Sequence, residues 1–324
     1  MKTPAGIGLT VVSVACATLA ACGDAPSPPD RPAPAPVEFV RLSTLGCLEC
    51  DGPELFDAVF SAFPVDDSTI VTVNRTDPRI RVFGADGEHR ASWGRTGEGP
   101  GEFETYVLDA VPSPDGGVLA MTTTPEMWAA YGEYRGRLPL LDRLWGGVNG
   151  FQQWQLASTS PSSRWLARDG GREFDGTEYI EVQVADLVAG DSMRFQVPDD
   201  LFDPADPGSR NAYWTETAIR DDGAWAVIGA LDYKIRLFSS DGELLAEGSR
   251  GAPRIERPAA EIEASKNRPL PRPLPDGIEA PEPVVASYRP QILRTAFFDA
   301  SDRLWVLARD GDVDVFAPAR VQRG

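Results

Sequence analysis

Hydrophobic and polar positions along this chain alternate in short runs, and the runs recur. Residues 67–88 read DSTIVTVNRTDPRIRVFGADGE and residues 222–243 read DGAWAVIGALDYKIRLFSSDGE, which align without a gap from Asp67 on Asp222 to Asp86 on Asp241. Each copy predicts a turn, an apolar strand, a polar loop and a strand ending in Phe. Each then closes in an Asp-Gly hairpin, because Gly accepts the positive φ such turns need. In IRVF and IRLF the period of two places Ile with Val or Leu on one face and Arg with Phe on the other. A third copy, Asp302 to Phe316, aligns Trp305 with Trp225 and Phe316 with Phe238. Weaker copies start near Asp115-Gly116 and near Ser163.

One such meander cannot bury both of its faces, so it must stack on copies of itself. Four short strands every roughly 40 to 50 residues predict an all-β fold, a β-propeller of six blades, each a four-stranded antiparallel sheet. Five blade starts are visible, at 67, 115, 163, 222 and 302. The segment from Val37 to Phe63, which begins with the strand-like VEFVRL, is expected to supply or close the sixth with the C-terminal strands. A parallel α/β fold would need amphipathic helices between strands, and only Pro125 to Leu144 is a candidate for one. The Pro-rich stretch at about 250–290, from Arg250 to Pro290, reads as a loop inserted into the propeller domain of residues 37–324.

Ahead of the repeats, Lys2 and the apolar run from Ile7 to Ala20 form an export signal too short to span a bilayer. The run ends in Leu19-Ala20-Ala21-Cys22, which resembles the lipobox of bacterial lipoproteins. The resemblance implies that residues 1–21 are a signal peptide removed by cleavage. It also implies that Cys22 carries two acyl chains, with a further one such as palmitate on its freed amine. The alternative is an ordinary secretory peptide with Cys22 incidental. Residues 22–36 then hold prolines at 26, 28, 29, 32, 34 and 36, an extended tether of roughly 45 Å at ~3.1 Å per residue. The domain is expected in the cell envelope, lipid-anchored, periplasm-facing or surface-exposed. Gly23 beside the cysteine tilts sorting toward the outer membrane, and Asp24 tilts it back.

The stretch Trp93 to Phe103, WGRTGEGPGEF, follows a blade's last strand. It resembles the GxGxGPGEF hallmark of the six-bladed, NHL-repeat-like β-propeller lipoproteins of bacteria. With the lipobox, the later blades and the YRP followed by LWVL near residues 288–307, the resemblance covers most of the mature chain. It departs in the irregular, Trp-rich blades between 110 and 215. It implies a fold and a location, and no reaction.

Charge narrows the partners. The formal net charge is -18, and loss of residues 1–21, whose only charge is Lys2, makes it -19. Such a chain repels nucleic acid and anionic headgroups. Its expected partners are the membrane, through the lipid, and a protein, peptide or carbohydrate ligand. The abundance of Arg over Lys reads as codon bias and carries no site.

Each motif that resembles a chemical site falls short of one. A Ser-His-Asp triad would have to use His89, the chain's one histidine, which lies just past a hairpin Gly, with no G-x-S-x-G anywhere. Gly190-Asp191-Ser192-Met193 looks like the opening of an esterase motif but has no later histidine to serve it. Asp310-Gly311-Asp312-Val313-Asp314 alternates acids as a calcium loop does, without the Gly and the closing Glu. Gly97, Gly99 and Gly101 look like a phosphate cradle, yet Glu98 and Glu102 would repel phosphate, which favours an interblade turn.

Cys47 and Cys50 admit a structural disulfide, free thiols, or a redox or metal pair, with the oxidising compartment favouring the first. Trp128, Tyr131, Tyr134, Trp145 and Trp154 head the densest aromatic region, read either as blade-to-blade core or as a stacking surface for a ligand. Two functions therefore stand. The first is a non-catalytic binding or scaffold propeller needing no cofactor. The alternative is a metal-dependent hydrolase or lactonase, with calcium held at the propeller axis by acids from several blades.

Overall fold

Each run of alternating residues forms a strand that pairs with the next run in sequence, so the chain folds as a series of antiparallel meanders. The computed structural model describes residues 44–46, 49, 52–56, 59–74, 79–103, 107, 109–121, 125–129, 132–138, 158–172, 179–198, 215–250, 253–267, 285–308 and 313–316. Sheet 1 is β1 (Val59–Asp66), β2 (Thr69–Asn74), β3 (Ile80–Gly84) and β4 (His89–Trp93). Sheet 2 is β5 (Asp109–Pro112), β6 (Val118–Met121), β7 (Pro125–Trp128) and β8 (Tyr134–Arg137). Sheet 3 is β9 (Ser158–Thr159), β10 (Trp165–Arg172), β11 (Tyr179–Asp186) and β12 (Asp191–Pro198). Sheet 4 is β13 (Thr215–Ile219), β14 (Trp225–Gly229), β15 (Lys234–Phe238) and β16 (Leu244–Ser249). The strands β17 (Ile255–Glu256) and β18 (Tyr288–Arg289) pair with each other, and β19 (Ile292–Phe298), β20 (Leu304–Ala308) and β21 (Val313–Phe316) make a three-stranded sheet 5. Among the described residues between β17 and β18 lies a helix, α1 (Ala259–Lys266).

First strands lie beside first strands: β1 beside β5, β5 beside β9, β9 beside β13 and β13 beside β19. Apolar side chains fill the space between successive sheets. Val71, Val73, Ile80 and Val82 of sheet 1 meet Ala110, Val118, Ala120 and Trp128 of sheet 2. Ala167, Ile180 and Val182 of sheet 3 meet Ile219, Trp225 and Phe238 of sheet 4. Ala226 and Ile228 on the other face of sheet 4 meet Phe298, Leu304 and Val306 of sheet 5. Sheets packed face to face around their first strands are a β-propeller. Among the described residues it has four sheets of four strands and one of three, against the six four-stranded blades expected.

The repeat holds at the level of register. Ile70 pairs with Phe83 in sheet 1 as Trp225 pairs with Phe238 in sheet 4. Both phenylalanines are buried. Phe238 stacks on Trp225 at 4.3 Å, with Phe195 of sheet 3 beyond it, while Phe83 has Phe56 at 5.5 Å. The segment 52–56 thus covers sheet 1 where sheet 3 covers sheet 4. Arg81 donates to the carbonyls of Pro53 and Leu55 at 2.7 and 2.6 Å, and its counterpart Arg236 donates to the carbonyl of Pro198 at 2.9 Å. In each case a guanidinium ties a blade to what precedes it.

Three expectations are corrected. Pro125 to Leu144 does not begin as a helix, because Gly132, at φ 89°, closes a hairpin that sets Trp128 opposite Tyr134. Of the segment from Val37 to Phe63, residues 59–63 do not stand apart from the first visible repeat, since they lie in β1, that repeat's own first strand, while the strand-like VEFVRL lies outside the described residues. In the third copy Leu304, not Trp305, stands where Trp225 does, because Leu304 pairs with Phe316 and follows its turn directly. That one-residue slip turns Trp305 to the opposite face, where it lies parallel to Phe297.

Candidate functional site

The two ends of the meanders differ. Between first and second strands, and between third and fourth, one turn recurs. The N–H of its first residue donates to the carbonyl of the fifth, and the N–H of the fourth to the carbonyl of the first. It appears at Gly84–Glu88, Ser113–Gly117, Ala129–Glu133, Arg220–Ala224, Ser239–Glu243 and Asp299–Arg303, and one residue longer at Ser160–Trp165. The fourth residue always has positive φ, mostly as Gly, with Ser163 and Asp302 both at 59°. Neighbouring turns are laced together: Ser162 donates through N–H and Oγ to Asp221 at 2.9 and 2.6 Å, and Arg220 reaches Asp302 at 2.9 Å.

At the opposite end the described connections, 94–103, 230–233 and the limbs of 250–291, are unlike one another. The loop 94–103 is a plug. Phe103, fully buried, pairs its N–H with the Arg95 carbonyl at 2.8 Å and gives its own carbonyl to Gly97 at 3.0 Å. Glu102 accepts the Gly99 N–H at 3.0 Å and the Arg95 guanidinium, which together hold its carboxyl below the ordinary range. A carboxylate of the chain thus occupies the donor that a phosphate cradle would offer. The glycines serve an interblade turn, and Gly94 leaves room for the Phe103 ring.

Among the described residues the most elaborate part of this end is formed by the limbs of the 250–291 connection on sheet 4. Its two limbs are clamped to the turn 230–233. Gln291, buried, gives its N–H to the Ala230 carbonyl at 2.6 Å and its Nε2 to the Leu231 carbonyl at 2.7 Å. Arg254 grips Asp232 through Nε at 2.7 Å and Nη2 at 3.0 Å, with its guanidinium over the Tyr288 ring. Arg250 lies over Tyr233. Further out, Arg257 donates to Glu261 at 3.0 Å, Ser265 at 2.6 Å and the Ala286 carbonyl at 3.0 Å, and Arg289 also pairs with Glu261. Hydrogen bonding from Arg289 holds the Glu261 carboxyl below its ordinary value, with Arg257 adding to it. Helix α1 buries none of its residues. The result is a braced, mixed-charge platform. Planar guanidinium groups fixed by rings and carboxylates suit recognition of a polar surface.

Among the aromatics proposed for a ligand, Trp128 is buried, 4% exposed, against Trp93, Phe103 and Tyr134. Tyr134 is half-buried at its edge. Tyr131, Trp145 and Trp154 lie outside the described residues, as do Cys22, Cys47 and Cys50. His89 makes a 2.9 Å contact with Ser92 Oγ and edges onto Phe83. On the first strands, Asp109 and Glu216 are buried acids in separate sheets. Among the described residues no three His, Cys, Asp or Glu side chains converge as a metal site would. Sequence reasoning read nothing into the arginines of the 250–291 connection. The available signal was their spacing, with three of them within eight residues of a chain otherwise dominated by acids.

No protein-family model matches the chain, and no curated protein does. Solved structures similar to it include Hsv2 of Kluyveromyces lactis, at 12% identity and TM-score 0.42, covering 83% of this chain and 65% of that one. Virginiamycin B lyase of Staphylococcus aureus shows 13% identity and TM-score 0.39, covering 82% and 71%. Hydrazine synthase of Kuenenia stuttgartiensis shows 10% identity and TM-score 0.38, covering 78% and 81%. The chain spans less than two thirds of the length of Hsv2. Likeness at this distance assigns no activity.

Proposed function

We propose that the chain is a binding or scaffold propeller of the bacterial envelope, held to the outer membrane by lipid on Cys22, which engages a protein partner through the end bearing its long connections. The observation that carries the reading is the contrast between the two ends. Among the described residues, one repeats a laced turn seven times, and the other carries connections as unlike as the 94–103 loop and the limbs of 250–291, the latter braced by Arg254, Arg257 and Arg289. Packing requires the first kind of end. Nothing in packing requires a platform that buries none of its helix, and loops carried on a rigid scaffold are where binding residues concentrate.

The test is photo-crosslinking in intact cells from two exposed positions, Glu263 on α1 and Asp86 in the sheet 1 turn. Discrete adducts from 263 and none from 86 are expected. Equal adducts from both, or adducts from 86 alone, would contradict the assignment. In the same cells Cys22→Ala is expected to move the protein from the detergent phase to the aqueous phase, and its retention in detergent would remove the anchor.

A further inference from the structure

Strand β16 is the outer edge of sheet 4, and all six of its residues are exposed. An edge strand presents unpaired backbone groups, and proteins blunt such edges with cations, bulges or Pro. The fourth strands of sheets 1 to 3 follow that rule. In β4 and β8 the pairing with the inner neighbour is bulged, and the extra residue is an exposed arginine, Arg90 or Arg135. Strand β12 carries exposed Arg194 and ends in Pro198. The bulge recurs in β16 between Leu237 and Phe238, and the extra residue at the position of Arg90 is Leu245. Leu245 is 41% exposed and Leu244 52%. No cation lies on β16.

The bulge is confined to the turn-proximal end. From Leu237 opposite Ala246 to Lys234 opposite Ser249 the register is regular. Arg250 donates its N–H to the Tyr233 carbonyl, so residues 246, 248 and 250 face β15. The backbone groups of Glu247 and Ser249 then face outward by alternation. Glu247 turns its carboxylate to Lys234 at 3.2 Å and Arg236 at 2.9 Å on β15, so its charge is met within the sheet. Asp241 and Glu243 stand exposed at the strand's start.

We propose that β16 is a strand-addition site which takes an extended segment of a cationic polypeptide, with an aliphatic side chain meeting Leu244 and Leu245 and a basic one near Asp241 and Glu243. Charge decides between this occupant and a second copy of the chain: at -18 overall, two copies repel each other and a basic segment is drawn in. The proposal concerns a different surface from the 250–291 platform and stands or falls independently of it.

The probe is a synthetic peptide of alternating Lys and Val, titrated against the full-length protein, beside the same peptide with every backbone amide N-methylated. The two carry equal charge, and only the first can complete a ladder. The unmodified peptide is expected to bind at least tenfold more tightly and to slow hydrogen exchange at the Glu247 and Ser249 amides. Leu245→Arg, which restores the residue type of the other bulges, is expected to weaken it at least tenfold with an unchanged unfolding midpoint. Equal binding of both peptides would reduce the effect to bulk charge and overturn the proposal. So would dimerisation through β16 without peptide, or binding seen only after removal of residues 317–324.

Discussion

Phe83 and Phe238 are the same residue of the repeat, each against an aromatic supplied by whatever precedes its sheet, Phe56 in one case and Phe195 by way of Trp225 in the other. The period of two in IRVF and IRLF was enough to foresee their burial. It could not say what would cover them, because that partner comes from a segment with no repeat signature. Asp299 belongs with these details that only the fold reveals. Burial pushes its carboxyl up but is outweighed by hydrogen bonds from the Trp305 indole, the Arg303 N–H and the Arg303 guanidinium, which bring it down to about 2. A carboxyl depressed in the folded state lends stability that is fully present above its unfolded value, near 3.9, and is lost as pH falls toward the folded one. Acid unfolding between about pH 4 and pH 2 is therefore expected to be shallower in Asp299→Asn than in the parent. An identical pH dependence in the two proteins would show that the Asp299 bonds do not form.

At the scale of elements, the recurring turn sets the fold more than any strand does. All five blade starts found in the sequence fall in first-to-second-strand hairpins, so turn chemistry located the blades even where strand sequences had drifted. The misjudged helix and the Trp305 slip share a cause. The turns at 129–133 and 299–303 lack the Asp-Gly pair, and without that mark the register could not be fixed to one residue. The turn also makes a graded prediction. Gly116 and Gly223 hold the same position with φ of 76° and 82°, but a Cβ on Gly116 meets nothing, while one on Gly223 lies 2.9 Å from the Trp165 ring. Gly116→Ala is expected to cost roughly 1 to 2 kcal/mol from the left-handed backbone alone. Gly223→Ala should cost measurably more in chemical denaturation. Equal losses would mean that the Trp165 ring does not pack over the turn.

For the whole molecule, the ring of sheets explains why a chain with no catalytic motif carries so regular a repeat. Each blade buries apolar faces only against its neighbours, and such an array needs every interface to hold its shape. The all-β class and blade order were legible because they rest on local alternation and Gly-marked turns. The 250–291 platform was legible only as an interruption, since its bracing joins Asp232 to Arg254 and Arg257 to Ala286 across folded-back segments. Equivalent blades in one ring should fail together. The most direct test of the account is equilibrium unfolding of Phe83→Ala and Phe238→Ala followed by tryptophan fluorescence and far-ultraviolet dichroism. A single coincident transition is predicted for each variant, with both losing a similar ~3 to 5 kcal/mol. A large loss in one with none in the other, or separate transitions by the two probes, would contradict a propeller built of equivalent blades.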